Sequence, residues 1–150
     1  MIKLDACTGG AQYEEACRLI EIAQEARKFA YTPYSHFAVG AALLCEDGSI
    51  VSGCNVENAA YSPGNCAERT AVFKAVSEGK RKFNALAVVG ARDGDVPDGS
   101  SICSPCGVCR QVLREFCNEK EFRVYMTNGK TLFCYTLEEL LPLSFGASNL

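Results

Sequence analysis

The sequence predicts an α/β protein, a three-layer α/β/α sandwich with a mixed five-stranded sheet. Apolar segments with helical spacing alternate with strand-like apolar runs, which favours a sheet covered by helices on both faces. The run 85–91 is apolar throughout, as is typical of a strand buried on both faces. Asp47-Gly48 and Asn128-Gly129 each lie between two apolar runs, as in antiparallel hairpins. We therefore expect hairpins joined by crossover connections in one mixed sheet.

The elements are predicted in the order α-β-β-α-β-α-β-β-α. Gly79 is expected to stop the second helix, and Pro105 to begin the third, because proline is favoured at a first helical position. Ser104 is then the expected N-cap of that helix. The predicted bounds in chain order are helix 11–30, strands 36–44 and 49–54, helix 66–77, strand 85–91, helix 105–117, strands 122–127 and 131–135, and helix 137–141.

Composition limits the classes of protein to which the chain can belong. Hydrophobic residues make up 48% of the 150 residues, so we expect a single domain spanning 1–150 with a sizeable core. A net charge of −3 gives no basic face for nucleic acid. We also expect no membrane span and no signal peptide, hence a cytoplasmic location, with the nucleus as a further possibility. In such a reducing compartment the ten cysteines are thiols or metal ligands.

Three cysteines are expected to converge at one end of the sheet. Cys106 and Cys109 form a Cys-x-x-Cys pair in the first turn of the third helix, and Cys66 begins the second. Helix N-termini that follow neighbouring strands meet where open α/β sheets bind ligands, and their positive ends favour thiolates. Three thiolates with an open fourth position suit zinc. Glu68, two residues after Cys66, is placed to take a proton from a zinc-activated water.

Spacing alone leaves other interpretations of these cysteines open. A Cys-x-x-Cys pair at a helix start also fits a redox motif, although the third cysteine and the glutamate would then have no role. With Cys103 included, the spacing resembles a ferredoxin run, but Leu113 stands at the fourth cysteine position. A structural four-thiolate zinc site, completed by Cys54 or Cys103, is the strongest alternative to a catalytic site.

The sequence also resembles the cytidine deaminases. Residues 66–69 (Cys-Ala-Glu-Arg) followed by 105–111 (Pro-Cys-Gly-Val-Cys-Arg-Gln) match the signature of the zinc deaminases, with cysteine as the first ligand. The likeness covers nearly the whole chain through further motifs at 31–35, 37–40, 55–61 and 140–145. It implies a cytidine deaminase-like fold and a small homotetrameric enzyme of the three-cysteine zinc type.

The resemblance also implies roles for individual residues. One zinc ion per chain would be held by Cys66, Cys106 and Cys109, with Glu68 as proton shuttle for zinc-activated water that attacks C4. Cytidine and deoxycytidine would become uridine and deoxyuridine with release of ammonia, a reaction of pyrimidine salvage. The implied substrate-binding residues are Asn55 and Glu57 at the ribose 3′-hydroxyl, Phe37 against the base, Ala67 through its backbone at the pyrimidine edge, and Tyr61 and Phe145 in a neighbouring subunit's site.

Charge balance predicts two further contributors. Three thiolates and one Zn²⁺ sum to −1, which would make water at the metal less acidic unless the charge is offset. Arg69 and Gln111 are expected to offset it by donating hydrogen bonds to the ligand sulfurs. The sequence assigns no role to Cys103 or to the loop 92–104. A deaminase of another base or of a cytosine-containing antibiotic, and a structural zinc protein that binds a partner, remain the alternative functions.

Overall fold

The computed structural model describes residues 1–4 and 10–150 of the chain. In chain order the elements are β1 (Ile2–Leu4), α1 (Gly10–Arg27), β2 (Phe37–Cys45), β3 (Ile50–Cys54), α2 (Ala67–Ser77), β4 (Phe83–Arg92), α3 (Gly107–Phe116), β5 (Arg123–Thr127), β6 (Leu132–Thr136) and α4 (Leu137–Leu140), followed by a 3₁₀ turn at Ala147–Asn149. Within these described residues, no helix combines the length and the apolar character that crossing a membrane requires.

The strands form one mixed sheet in the order β1-β6-β5-β4-β2-β3. Only β4 and β5 run parallel, through a crossover that contains α3, and the other neighbours are antiparallel. The predicted α/β/α sandwich with a mixed sheet is confirmed. The predicted number of five strands is wrong, because β1 pairs with β6 and makes a sixth. A strand of three residues is too short to show the alternation by which strands are predicted.

Helices cover both faces of the sheet and enclose two apolar cores. On one face α1 packs Ala16, Leu19 and Ala23 against the sheet, where Val89 and Tyr125 are fully buried. On the other face α2, α3 and α4 contribute the buried side chains Val72, Leu113 and Leu137 to a core that includes Leu86 and Val88 of β4. Strand β4 is therefore buried on both faces, as its continuous apolar sequence predicts.

Two glycines let the helices lie close to the sheet. A Cβ placed on Gly40 of β2 would lie 1.9 Å from the carbonyl oxygen of Ala23 in α1. A Cβ on Gly53 of β3 would lie 2.5 Å from the amide nitrogen of Ala71 in α2. Because both obstacles are helix backbone, neither can move aside alone. The two positions thus fix how closely α1 and α2 approach opposite faces of the sheet.

The start of α3 differs from the prediction. Pro105 lies outside the helix, and Cys106 rather than Ser104 is its N-cap, with Cys106 Sγ accepting from the Cys109 amide at 3.5 Å. The reason is Arg110, whose guanidinium donates to the Pro105 carbonyl at 2.7 Å and to Ser104 Oγ at 2.9 Å. These bonds hold Ser104 and Pro105 beside the helix and leave a thiol to cap it.

Candidate active site

The three predicted metal ligands lie together. Cys66 is the N-cap of α2, Cys106 is the N-cap of α3, and Cys109 is buried in the first turn of α3. Cys106 Sγ is 3.9 Å from Cys66 Sγ and 3.5 Å from Cys109 Sγ, and all three sulfurs are within 4.8 Å of one another. Two helix N-termini therefore direct their positive ends at one cluster of thiols, as the sequence predicts.

Electrostatics favour ionisation of Cys66. Hydrogen bonding from Cys109, supported by Arg69 and Cys106, lowers the pKa of Cys66 to about 5 against the effect of burial. The pKa of Cys109 is raised, first by its hydrogen bond to Cys66 and then by burial. Arg69 Nη2 donates to Cys66 Sγ at 3.6 Å, whereas its buried Nε has no hydrogen-bond partner among the described residues. Arg69 thus lies where the predicted charge compensation requires it.

The donor set and its dimensions fit zinc. Zinc–thiolate bonds of about 2.3 Å in a tetrahedron place sulfurs about 3.8 Å apart. The sulfur separations of 3.9 Å (Cys66–Cys106) and 3.5 Å (Cys106–Cys109) bracket that value. Among the described residues no fourth cysteine joins the cluster, so neither Cys54 nor Cys103 completes a four-thiolate site there. Three thiol ligands and an open fourth position are the pattern of a catalytic zinc site.

Glu68 is placed beside the thiols and shielded from water. It lies in the first turn of α2 and is only 5% exposed. Burial raises the pKa of its carboxyl group, and the negative charge of Cys66 raises it further, while a hydrogen bond with Cys109 acts in the opposite direction. A carboxyl group whose pKa is shifted toward neutrality can both accept and release a proton.

A cavity of about 470 Å³ opens next to Cys66 and Arg69. Three of the predicted substrate-binding residues, Asn55, Glu57 and Tyr61, line it. Asn55 bridges β2, accepting from the Val39 amide at 2.8 Å and donating to the Phe37 carbonyl at 2.9 Å. Its amide group therefore points in a fixed direction.

The carboxylate of Glu57 is held by the turn before β2. Glu57 Oε2 accepts from the backbone amides of Tyr34 at 3.0 Å and Ser35 at 3.2 Å. Hydrogen bonding by Ser35 and Tyr34 lowers the pKa of Glu57, so the group stays an anion that can accept from a hydroxyl. The supporting roles of Tyr34 and Ser35 were missed from sequence because backbone donors leave no residue-type signal.

Phe37 begins β2 and is 39% exposed, with its ring against β4. A Cβ on Gly90 would lie 2.9 Å from Phe37 Cε1 and 2.6 Å from Cys103 Sγ. Glycine at this position thus makes room for both side chains. Cys103, which had no predicted role, packs here, and burial raises its pKa to about 12. Ala67, fully buried between Cys66 and Glu68, can offer only its backbone.

The loop 92–104 is fixed to two neighbouring elements. The Gly99 amide donates to the Asn128 carbonyl at 2.6 Å, and Asn128 Nδ2 donates back to the Gly99 carbonyl at 3.2 Å. Arg27, at the end of α1, donates to the carbonyl of Asp95. These contacts anchor the loop at Asp95 to α1 and at Gly99 to the turn between β5 and β6.

Three other predicted residues face solvent or the C-terminal segment within one chain. Tyr61 lines the cavity but is 91% exposed, and Phe145 near the C-terminus is 58% exposed. Gln111 was expected to donate to a ligand sulfur, and the structure corrects this: Gln111 Nε2 donates to the Phe145 carbonyl at 3.0 Å. Its place in α3 turns its side chain toward the C-terminal segment and not toward the thiols.

Comparison with known proteins agrees with this geometry. Residues 13–126 match the family model described as the cytidine and deoxycytidylate deaminase zinc-binding region. A cytidine deaminase of Sporosarcina psychrophila is 54% identical over 89% of this chain and 93% of its own length. A 1.6 Å crystal structure of cytidine deaminase from Burkholderia pseudomallei superposes with a TM-score of 0.76 at 44% identity, covering 86% of this chain and 98% of that one.

A more distant relative bears another substrate in its name. The blasticidin-S deaminase of Bacillus cereus is 33% identical over 88% of this chain and 93% of its own. Relatives of this chain are thus named as deaminases of different substrates. With its family-model match and its cluster of three thiols, this chain belongs to the cytidine and deoxycytidylate deaminase family and takes zinc as its cofactor.

Proposed function

We propose that the chain is a hydrolase that converts cytidine and deoxycytidine to uridine and deoxyuridine with release of ammonia, acting as one domain over residues 1–150. The observation that carries this proposal is the buried carboxyl group of Glu68 next to three converging thiols, beside a cavity lined by Asn55 and Glu57. The 54% identical relative is named a cytidine deaminase, which supports cytidine as substrate. A chain with a net charge of −3 suits a free nucleoside better than a nucleic acid.

Zinc held by Cys66, Cys106 and Cys109 supplies a Lewis acid that makes water acidic enough to attack near neutral pH. Glu68 takes the proton from the attacking water and passes it to N3 of the pyrimidine. After attack at C4, the same carboxylate takes the proton of the new C4 hydroxyl group and delivers it to the amine. The C4–N bond then breaks, the C4 oxygen becomes the carbonyl oxygen of the product, and ammonia is released. Burial of Glu68 supports this cycle, because a carboxyl group with a raised pKa can hold each proton between its uptake and its release.

The cavity residues are assigned to the sugar and the base. Asn55 retains an unused N–H and a lone pair on its amide, and Glu57 is an acceptor, so together they suit a ribose 3′-hydroxyl. Phe37 packs on the pyrimidine face. Ala67 presents its backbone to the pyrimidine edge, where a larger residue would not fit in its fully buried position.

The exposed aromatics are assigned to a neighbouring subunit's site. Tyr61 and Phe145 carry large apolar rings that are mostly in solvent in one chain. Burying such rings in an interface stabilises the assembly, and a homotetramer is the assembly that we propose. We place the enzyme in the cytoplasm, since free thiol ligands need a reducing compartment.

A deaminase of a different cytosine compound is the second candidate. The 33% identical blasticidin-S deaminase supports this second candidate. The much higher identity to a cytidine deaminase favours the nucleoside.

Loss of ultraviolet absorbance on incubation with cytidine, with ammonia as the second product, tests the activity. Glu68→Gln keeps the size and polarity of the side chain but cannot shuttle a proton, so kcat should fall at least ~10²-fold. Zinc content should stay at one per chain. Glu115→Gln, an exposed position on α3, is the matched control and should behave as wild type. Retention of most of kcat in Glu68→Gln would show that Glu68 has been assigned the wrong role.

A further inference from the structure

The segment between α4 and the C-terminal 3₁₀ turn displays its large side chains outward. Leu143 is fully exposed and has a positive φ of 54°, a conformation that costs energy for a residue other than glycine. Phe145 is 58% exposed, and Pro142 is also exposed. The segment therefore buries little apolar surface of its own. Something other than core packing must keep it in place.

Three side chains from one face of α3 hold this segment. Arg110 Nη1 donates to the Leu140 carbonyl at 2.6 Å, Gln111 Nε2 to the Phe145 carbonyl at 3.0 Å, and Arg114 Nε to Ser144 Oγ at 3.0 Å. We call Arg110, Gln111 and Arg114 the C-terminal latch.

The latch fits closely around Gly146. A Cβ on this residue would lie 2.9 Å from the guanidinium carbon of Arg114. Gly146 is buried although its neighbours Phe145 and Ala147 are exposed. The segment is thus held at Ser144 through its hydroxyl group, at Phe145 through its carbonyl and at Gly146 by close packing, while the Phe145 ring stays in solvent.

The same helix fixes the metal-binding turn. The Arg110 guanidinium also donates to Ser104 Oγ and to the Pro105 carbonyl, which directly precede Cys106. One side chain therefore ties the root of the C-terminal segment to the chain that carries a metal ligand. The position of Phe145 is set relative to the thiol cluster by a rigid helix and short hydrogen bonds.

We propose that Arg110, Gln111 and Arg114 are positioning residues that hold the backbone around Phe145 so that its ring is presented, already oriented, to the active site of a second copy of this chain. This inference rests on the proposed function, which assigns Phe145 to a neighbouring site. Anchoring the backbone removes the entropic cost of ordering the segment when it docks. An exposed ring on an anchored backbone has no such use within one chain.

Gln111→Leu combined with Ser144→Ala tests the proposal without changing Arg110 or a metal ligand. An apolar ring packs equally on substrate and transition state, so its misplacement should raise KM for cytidine and spare kcat. We expect KM to rise about fivefold or more, because loss of a typical hydrogen bond changes an equilibrium constant by about this factor. We expect kcat to stay within about twofold. Glu115→Leu, an exposed position on the same helix, is the control and should leave KM unchanged.

A double-mutant cycle separates positioning from general loosening of the fold. If the latch acts through Phe145, adding Gln111→Leu and Ser144→Ala to Phe145→Ala should raise KM no further than Phe145→Ala does alone. Zinc content should remain at one per chain in all variants. Chymotryptic cleavage after Phe145, followed by mass spectrometry, should become faster in the latch variant and not in Glu115→Leu.

The outcomes distinguish the two proposals. A raised KM in Phe145→Ala with a wild-type KM in the latch variant overturns the positioning role alone. Additive effects in the cycle also overturn it. If Phe145→Ala itself leaves KM unchanged, the assignment of Phe145 to a neighbouring site fails and the latch proposal falls with it, while deamination of cytidine is unaffected.

Discussion

Arg69 shows how much a single side chain can contribute to a metal cluster that it does not ligate. Its guanidinium donates to Cys66 Sγ and helps to lower the pKa of that thiol. A cluster of three thiolates carries more negative charge than one zinc ion neutralises. The guanidinium offsets this excess without occupying a coordination position.

Arg69→Ala should therefore lower kcat and shift the acidic limb of the pH–rate profile upward. With the cation gone, ionisation of the attacking water requires a higher pH. In metal-free protein the pKa of Cys66 should rise from about 5, so less thiolate is present at pH 6 and carbamidomethylation by iodoacetamide slows. Arg81→Ala, at an exposed position, is the control. A wild-type rate and an unmoved profile in Arg69→Ala would argue for a surface residue of no catalytic consequence.

Cysteine variants test which thiols hold the metal. Cys66→Ala should lose zinc and activity together, because only three thiols of the described chain form the cluster. Cys103→Ala should keep one zinc per chain, since Cys103 packs against Gly90 outside the cluster. Cys17→Ala on α1 is the distant control. Zinc loss from Cys103→Ala, measured by elemental analysis, would indicate that Cys103 is a fourth thiolate ligand.

Residue types and spacing were sufficient to predict the cluster but not every contact around it. Cys66, Cys106 and Cys109 lie at helix starts, which the sequence located to within two residues. Whether Arg69 or Gln111 reaches a sulfur depends on the rotation of each helix about its axis. Only packing sets that rotation, and it turned Gln111 toward Phe145.

At the scale of elements, the approach of α2 to the sheet determines where Cys66 and Glu68 lie. Gly53 of β3 makes room for that approach, because a Cβ there would lie 2.5 Å from the Ala71 amide and 2.7 Å from the Ala67 carbonyl. Gly53→Ala must push α2 outward and should cost ~1–3 kcal/mol in the free energy of unfolding. Urea titration measures the loss.

The same variant should bind zinc more weakly, since α2 carries Cys66 at its start. Ser52→Ala, at the neighbouring position of β3, is the control for stability and for zinc affinity. An unchanged unfolding midpoint in Gly53→Ala would mean that a Cβ at this position fits between β3 and α2.

Most elements could be predicted from sequence because local signals and tertiary structure agree. Both hairpins form where Asp47-Gly48 and Asn128-Gly129 predict them. The predictions of secondary structure were wrong where long-range contacts override the local preference of the sequence. Ser104 is engaged by Arg110 and cannot cap α3, and β1 exists only because β6 is there to pair with it.

At the scale of the whole molecule, subunit mixing tests whether sites are shared between chains. Phe145→Ala and Glu68→Gln should each be impaired alone, and mixed oligomers should regain activity. Some sites in the mixture then receive Glu68 from one chain and Phe145 from another. Cytidine turnover below KM, before and after subunit exchange, is the measurement.

A pair of variants within one chain provides the control. Glu57 and Cys66 line the same cavity, and Glu68 lies beside Cys66 in one helical turn. Mixing Glu57→Ala with Glu68→Gln should therefore restore no deaminase activity. Failure of the Phe145→Ala mixture to recover, with exchange of subunits demonstrated, would show a site completed within each chain.

The pairing of β1 with β6 also has a consequence for synthesis on the ribosome. Ile2 pairs with Cys134 and Leu4 with Leu132, so β1 cannot pair with β6 until β6 has been synthesised. Cys66, Cys106 and Cys109 leave the ribosome earlier than β6 does, since domains emerge from their N-terminal end. All three metal ligands are thus available to bind zinc before β6 can enter the sheet between β5 and β1.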